Sequence, residues 1–154
     1  MIEDYTIRRT VDVAVDPATA FDFFTRDMHL WVQDTPYTWN DPERALGIRF
    51  EPGVGGRLVE VWDAATGEGY EWGRILEWEP GRRFVLAYRC VILPPGAETE
   101  VEVRFERRGK GTRVTLEHRG FEKLAAKVFE DWKDRAWRML MEWFSDYANQ
   151  KEPS

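Results

Sequence analysis

Four side chains in this sequence have the type and setting for chemistry: His118, Arg74, Glu60 and Cys90. His118 follows Val114 and Leu116 at a period of two, so in a strand it shares their inward face. An imidazole there can act as acid, base or hydrogen-bond partner. The competing reading is a half-buried histidine at a strand end, satisfied by a backbone carbonyl. No second catalytic group stands at a readable spacing from it. Arg74 is in phase with Tyr70, Trp72, Leu76 and Trp78. Facing inward, it would be a cation among aromatics, able to hold an anionic or phenolic ligand or stack on a ring. Facing outward, it is solvated. Gly73 and Ile75 compete for the same inward face, and a bulge would switch the phase mid-strand. Glu60 shares a face with Leu58 and Trp62 and would pair with an inward Arg74. The opposite phase, with Val59 and Val61 inside, is favoured because two β-branched residues define it. Cys90 continues the series Phe84, Leu86, Tyr88 and reads as a buried structural thiol.

Some chemistries are set aside at this level. Two histidines and one cysteine do not make a zinc-type cluster, so no metal and no cofactor is expected. The run Gly53 to Gly56, "GVGG", is not a dinucleotide fingerprint, since Leu58 stands where the third glycine belongs. It reads as the bend into the next strand.

The elements that would position these groups follow from periodicity. Val11, Val13 and Val15 alternate as a strand, and Asp16-Pro17 then caps and opens a helix that places Phe21 and Phe24 on one face. A second short helix is expected near Asp27 to Val32, followed by a loop with Pro36, Pro42 and Gly47. From Arg49 the period falls to two. About six strands follow, joined by short turns, which implies an antiparallel meander. From Glu122 to about Asn149 the period is helical, without Gly or Pro. Phe129, Trp132, Ala136, Met139, Leu140, Trp143 and Tyr147 form its stripe. A helix of about 27 residues would be roughly 40 Å long. It is the element large enough to cover the sheet's apolar face.

The chain has 154 residues, which suits one domain over 1–149 with a fraying tail at 150–154. A net charge of −6 argues against nucleic acid and against an anionic membrane surface as partners. One cysteine, no signal-peptide-like run at the N-terminus and no bilayer-spanning segment fit a cytoplasmic setting. The conspicuous residue is Trp, which occurs eight times. Each indole is large, and each N–H wants an acceptor.

In order and spacing, "TVDVAVDPATAFDFFT", "GGRLVEVW", "GRILEWEPGRRFVLAYR", "GTRVTLEHRGF" and the Trp-rich last helix resemble the START and Bet v 1-like superfamily. Within it they resemble the family named after the activator of the Hsp90 ATPase. The resemblance implies an α+β helix-grip fold: a curved antiparallel sheet of six to seven strands around a long C-terminal helix, with two short helices after the first strand. It implies a bacterial setting and several possible activities, because the superfamily contains lipid and hormone binders, aromatase/cyclases, co-chaperone domains and a calicheamicin self-resistance protein. The segment Glu117, His118, Phe121 is similar to one in that last protein.

The leading expectation is non-catalytic binding of a flat, hydrophobic, polycyclic aromatic molecule between sheet and C-terminal helix, by a monomer or homodimer. Its candidate residues are Trp62, Tyr70, Trp72, Arg74, Tyr88, Phe105, His118, Trp132, Met139 and Trp143. The first alternative is an aromatase/cyclase-type enzyme using His118 or Arg74. The second is an Hsp90-related interaction module. The eukaryotic activator's additional N-terminal domain, absent from the sequence as read, weighs against that one.

Overall fold

A computed structural model describes residues 6–35, 38–89, 97–121, 124, 127, 130 and 137–150. The first strand, β1 (Ile7–Val13), leads into α1 (Pro17–Thr25) and α2 (Met28–Trp31). Asp16 caps α1, accepting from the Thr19 backbone N–H at 3.3 Å and the Thr19 hydroxyl at 2.6 Å. Pro17 sits at the first helical position, where its missing N–H costs nothing.

Six strands follow: β2 (Gly47–Phe50), β3 (Arg57–Val61), β4 (Gly69–Glu79), β5 (Arg83–Tyr88), β6 (Thr99–Arg108) and β7 (Gly111–Arg119). The sheet order is β1-β7-β6-β5-β4-β3-β2, all antiparallel. Six strands thus form the expected meander, and β1 closes the far edge against β7. The last helix, α3 (Arg138–Gln150), buries Met141, Phe144 and Ala148. This is the α+β helix-grip architecture: a seven-stranded curved sheet, two short helices after the first strand, and a C-terminal helix. Among the described residues no helix is long and apolar enough to cross a membrane.

Two details differ from the sequence reading. The continuous helix expected over 122–149 is broken at Trp137, whose φ of 71° is incompatible with a right-handed helix. The apolar stripe shifts with it. Of that stripe, Phe129, Trp132 and Ala136 lie outside the described residues. Met141, Phe144 and Ala148 face the sheet, while Met139 is 39 % exposed. Trp143 and Tyr147 flank the buried face half-exposed.

The core at one end of the concave face is aromatic and interlocked. Phe24 meets Phe144 edge-on at 4.9 Å between ring centroids, and Phe21 meets Trp78 at 5.0 Å and Phe105 at 5.2 Å. Such edge contacts add to the stabilisation from burial alone. Much of the aromatic content of β4 to β6 is consumed here as packing.

On the convex face, charge replaces packing. Arg83 pairs with Glu77 (2.8 Å), Glu79 (2.6 Å) and Glu102 (2.8 Å). Glu102 also holds Arg119 at 3.0 Å, and Glu117 joins Arg104 to Arg8. The ladder runs across β4, β5, β6, β7 and β1.

Candidate functional site

At the other end of the concave face, polar groups and indoles come together. The route is set by β4. Residue partners across β3 and β4 run Leu58–Gly73 and then Val59–Glu71, so Trp72 is an extra residue on β4. A second shift falls between Ile75 and Glu77. Each bulge switches the side-chain phase. Tyr70 and Trp72 turn inward, then Gly73 and Ile75, then Trp78. The two competing inward phases of the sequence are thus both used, in different stretches of one strand.

Arg74 is the residue that loses. It lies on the solvent side, its side chain 52 % exposed, and pairs with Glu71 at 2.6 Å. The inward reading of Arg74 as a buried cation is corrected by the bulge at Trp72, which puts Gly73 in its place.

Glu60 reverses the expectation in the other direction. The favoured phase would have turned it outward, yet it is completely buried. Leu58 and Glu60 face the core, and Val59 lies buried on the opposite face. The carboxylate is held by N–H donors. Its Oε1 accepts from the backbone of Asn40 (2.7 Å), the Asn40 side chain (3.3 Å) and the Trp72 indole (3.0 Å). Its Oε2 accepts from the backbone of Asp41 (3.0 Å) and the Trp62 indole (2.7 Å). A buried carboxylate needs such saturation to offset its lost hydration. The loop before β2 is therefore pinned to β3 and β4. Arg44, paired with Asp41 at 2.6 Å, lies 3.9 Å over the Trp62 ring. Trp39 packs against Trp72 at 6.2 Å, and Tyr70 against Trp62 at 6.3 Å.

Across the sheet, Tyr88 on β5 continues the row to His118 on β7. The Arg89 backbone N–H donates to the Trp72 carbonyl at 2.6 Å, which fixes Tyr88 beside the Trp72 end. Tyr88 meets His118 edge-on at 5.1 Å and Trp137 at 5.2 Å. Phe121 packs on the imidazole at 4.5 Å.

His118 is completely buried. The Trp137 indole N–H donates to its Nδ1 at 2.9 Å, and its Nε2 lies 2.5 Å from the Thr99 hydroxyl. An indole N–H can only donate, so Nδ1 is unprotonated and the proton sits on Nε2. Burial pushes the imidazole pKa down to about 3. His118 is therefore neutral near pH 7, satisfied by side chains rather than by the backbone carbonyl expected from the sequence. Acting as a general base would require it to give up the Trp137 hydrogen bond first.

The residues anticipated from the sequence separate clearly. Trp62, Tyr70, Trp72, Tyr88 and His118 gather at this end. Phe105 belongs to the packed aromatic end, and Trp143 flanks α3 half-exposed. Trp132 and Cys90 lie outside the described residues. Trp39 and Trp137 were not anticipated, and Glu60 was weighed but expected to face outward. A carboxylate in phase with two Trp residues was the available signal for Glu60; nothing in the sequence marks the turned backbone at Trp137. That conformation costs a non-glycine residue roughly 1–3 kcal/mol and requires surrounding contacts to hold it.

A separate open groove of about 680 Å³ lies between α1–α2 and β2, with Ile48, Phe50 and Trp78 among its lining and Arg26, His29 and Arg49 bordering it. None of the nine anticipated residues that are described lines it.

A curved antiparallel sheet gripping a C-terminal helix is a helix-grip fold. The chain belongs to the family described as activator of Hsp90 ATPase homolog 1-like protein, whose model matches residues 14–148. Solved structures share the fold. CalC, a self-sacrificing resistance protein from Micromonospora echinospora, is 23 % identical with a TM-score of 0.69, over 98 % of this chain and 99 % of that one. CalU16 from the same organism is 20 % identical with a TM-score of 0.57, over 97 % and 75 %. The Aha1 dimer from Colwellia psychrerythraea is 15 % identical with a TM-score of 0.64, over 99 % and 100 %. A comparison with curated proteins finds no significant sequence match.

Proposed function

We propose that residues 1–149 form one domain that binds a flat, hydrophobic, polycyclic aromatic molecule and does not transform it. The observation that carries this reading is the placement of two buried ionisable groups, Glu60 and His118, each among aromatic rings, at one end of a largely apolar concave face. A few oriented polar atoms in an aromatic wall is the composition of a small-molecule site. Trp62, Tyr70, Trp72, Tyr88 and His118 form that wall.

Likeness to CalC, described as a self-sacrificing resistance protein, supports a role in bacterial secondary metabolism or self-resistance. Of the two assembly states expected, monomer and homodimer, the dimeric Colwellia relative supports the homodimer; the setting we propose is cytoplasmic. The neutral, doubly hydrogen-bonded His118 favours binding over aromatase/cyclase chemistry, since neither nitrogen is poised to move a proton.

The test is a thermal-shift panel of polycyclic aromatic natural products, fatty acids and sterol-like molecules. A ligand of the folded state raises Tm with the logarithm of its concentration over Kd. A concentration-dependent rise confined to the aromatics is expected. A flat response to every class would overturn the reading and turn attention to a protein partner.

A further inference from the structure

Deepening the binding reading above, on which it rests, we infer that the Trp137 indole is a built-in stand-in for the ligand, and that the true ligand is a flat aromatic carrying an O–H or N–H donor that replaces it on His118. Four observations lead there. Trp137 is a fused, flat ring with a single donor, and that donor is spent on His118 Nδ1 at 2.9 Å. The ring lies against Tyr88 at 5.2 Å and His118 at 5.7 Å, both edge-on, as a bound aromatic would. Its backbone is in the left-handed region at φ 71°, where a tryptophan is disfavoured, so the pose is held by its contacts and not by local preference. Trp137 is also partly exposed and stands immediately before α3, whereas His118 and Tyr88 are buried.

His118 sets the chemistry of the replacement. With its proton on Nε2 toward Thr99, it offers a lone pair at Nδ1. An incoming group must donate to that atom. A phenolic hydroxyl or an indole-like N–H does so; an ether or a bare hydrocarbon leaves a buried acceptor unpaired. Sites built to hydrogen-bond a donor discriminate strongly against analogues that lack it. Because Trp137 occupies the site in the free protein, the apparent affinity for ligand is reduced by the fraction of time the indole is bound there.

The experiment uses 2-naphthol and 2-methoxynaphthalene as probes, titrated calorimetrically into the wild-type protein and into Trp137→Phe. Phe keeps a ring but has no donor. Expected results are about tenfold tighter 2-naphthol binding by Trp137→Phe, and at least tenfold weaker binding of the methoxy analogue by both proteins. A second readout does not depend on the variant's folding. In ¹H–¹⁵N spectra of the wild type, the Trp137 indole N–H resonance should move as 2-naphthol is added, reporting loss of its imidazole acceptor. Weaker 2-naphthol binding by a folded Trp137→Phe, equal binding of the two probes, or an unmoved indole resonance at saturation would each overturn the inference. No binding of either probe also overturns it. If the thermal panel nevertheless responds to polycyclic aromatics, the binding reading stands without it; if the panel is flat, both fall.

Discussion

At Glu60 a carboxylate leaves water accompanied by neutral N–H donors, two of them indoles. Glu60→Gln keeps the shape but points an amide N–H₂ at other donors. We expect a loss of about 2–3 kcal/mol in urea denaturation, with altered Trp fluorescence as Trp62 and Trp72 lose their acceptor. Unchanged stability would mean that the carboxylate does not hold the loop. His118 gives a pH signature. Its folded pKa, about 3, lies below the ordinary 6.5, because burial disfavours the imidazolium. Below pH 6.5 the unfolded chain binds a proton that the folded chain refuses, so stability present at neutral pH is lost as pH falls toward 3. By pH 5 the loss should be about 2 kcal/mol, and His118→Gln should flatten the profile between pH 6.5 and 5. Carboxylates such as Glu51, lowered to about 2 chiefly by a hydrogen bond from Arg57, act in the same direction only below their ordinary range near 4.5. The inward placement of His118 was legible, because Val114 and Leu116 give an unbroken period. Glu60 was not: Val59 and Val61 look like the core face, and the indole donors that make a buried carboxylate tolerable come partly from another strand.

At the scale of the element, β4 explains why Arg74 was ambiguous. A period-two reading assumes one register along the strand, but two bulges divide β4 into three phases. Bulges arise from pairing with neighbours, so they leave little trace in the strand's own sequence. Gly69 pairs with Val61 at the end of the β3–β4 ladder next to the site. A Cβ added there would collide with the Glu60 carbonyl. Gly69→Ala should therefore cost roughly 2–4 kcal/mol and weaken any ligand that uses the Glu60 end, whereas a substitution at exposed Leu76 should not. A Gly69→Ala protein of wild-type Tm would show that the hairpin adjusts freely. The C-terminal helix teaches the complementary lesson. Its composition announced a helix, but not the left-handed turn at Trp137 just before Arg138, whose indole meets His118 across 19 residues of chain.

For the whole molecule, order of elements was readable from the sequence because turns and periods are local, whereas the division of the concave face into a packed end and a polar end required the fold. The convex face carries its own stability argument. Arg83 contacts three carboxylates at once, and its hydrogen bonds to Glu77, Glu102 and Glu79 raise its pKa beyond the usual arginine value. Isolated surface pairs contribute little, but a shared hub is worth more. Arg83→Gln should lower stability by about 1 kcal/mol at low salt, and the difference from wild type should shrink in 1 M NaCl; a salt-independent deficit would assign the effect to packing. Lastly, α3 is fastened at its far end. The Tyr147 hydroxyl donates to Asp27 at 2.9 Å, the Asn149 side chain accepts from the Ala14 backbone at 2.9 Å, and Tyr147 packs on Phe23. At its near end it rests on His118 through the Trp137 ring. Mechanically the helix is a beam supported at both ends, so a ligand that released the Trp137 ring from His118 would remove one support and leave the Tyr147 end to hold the rod.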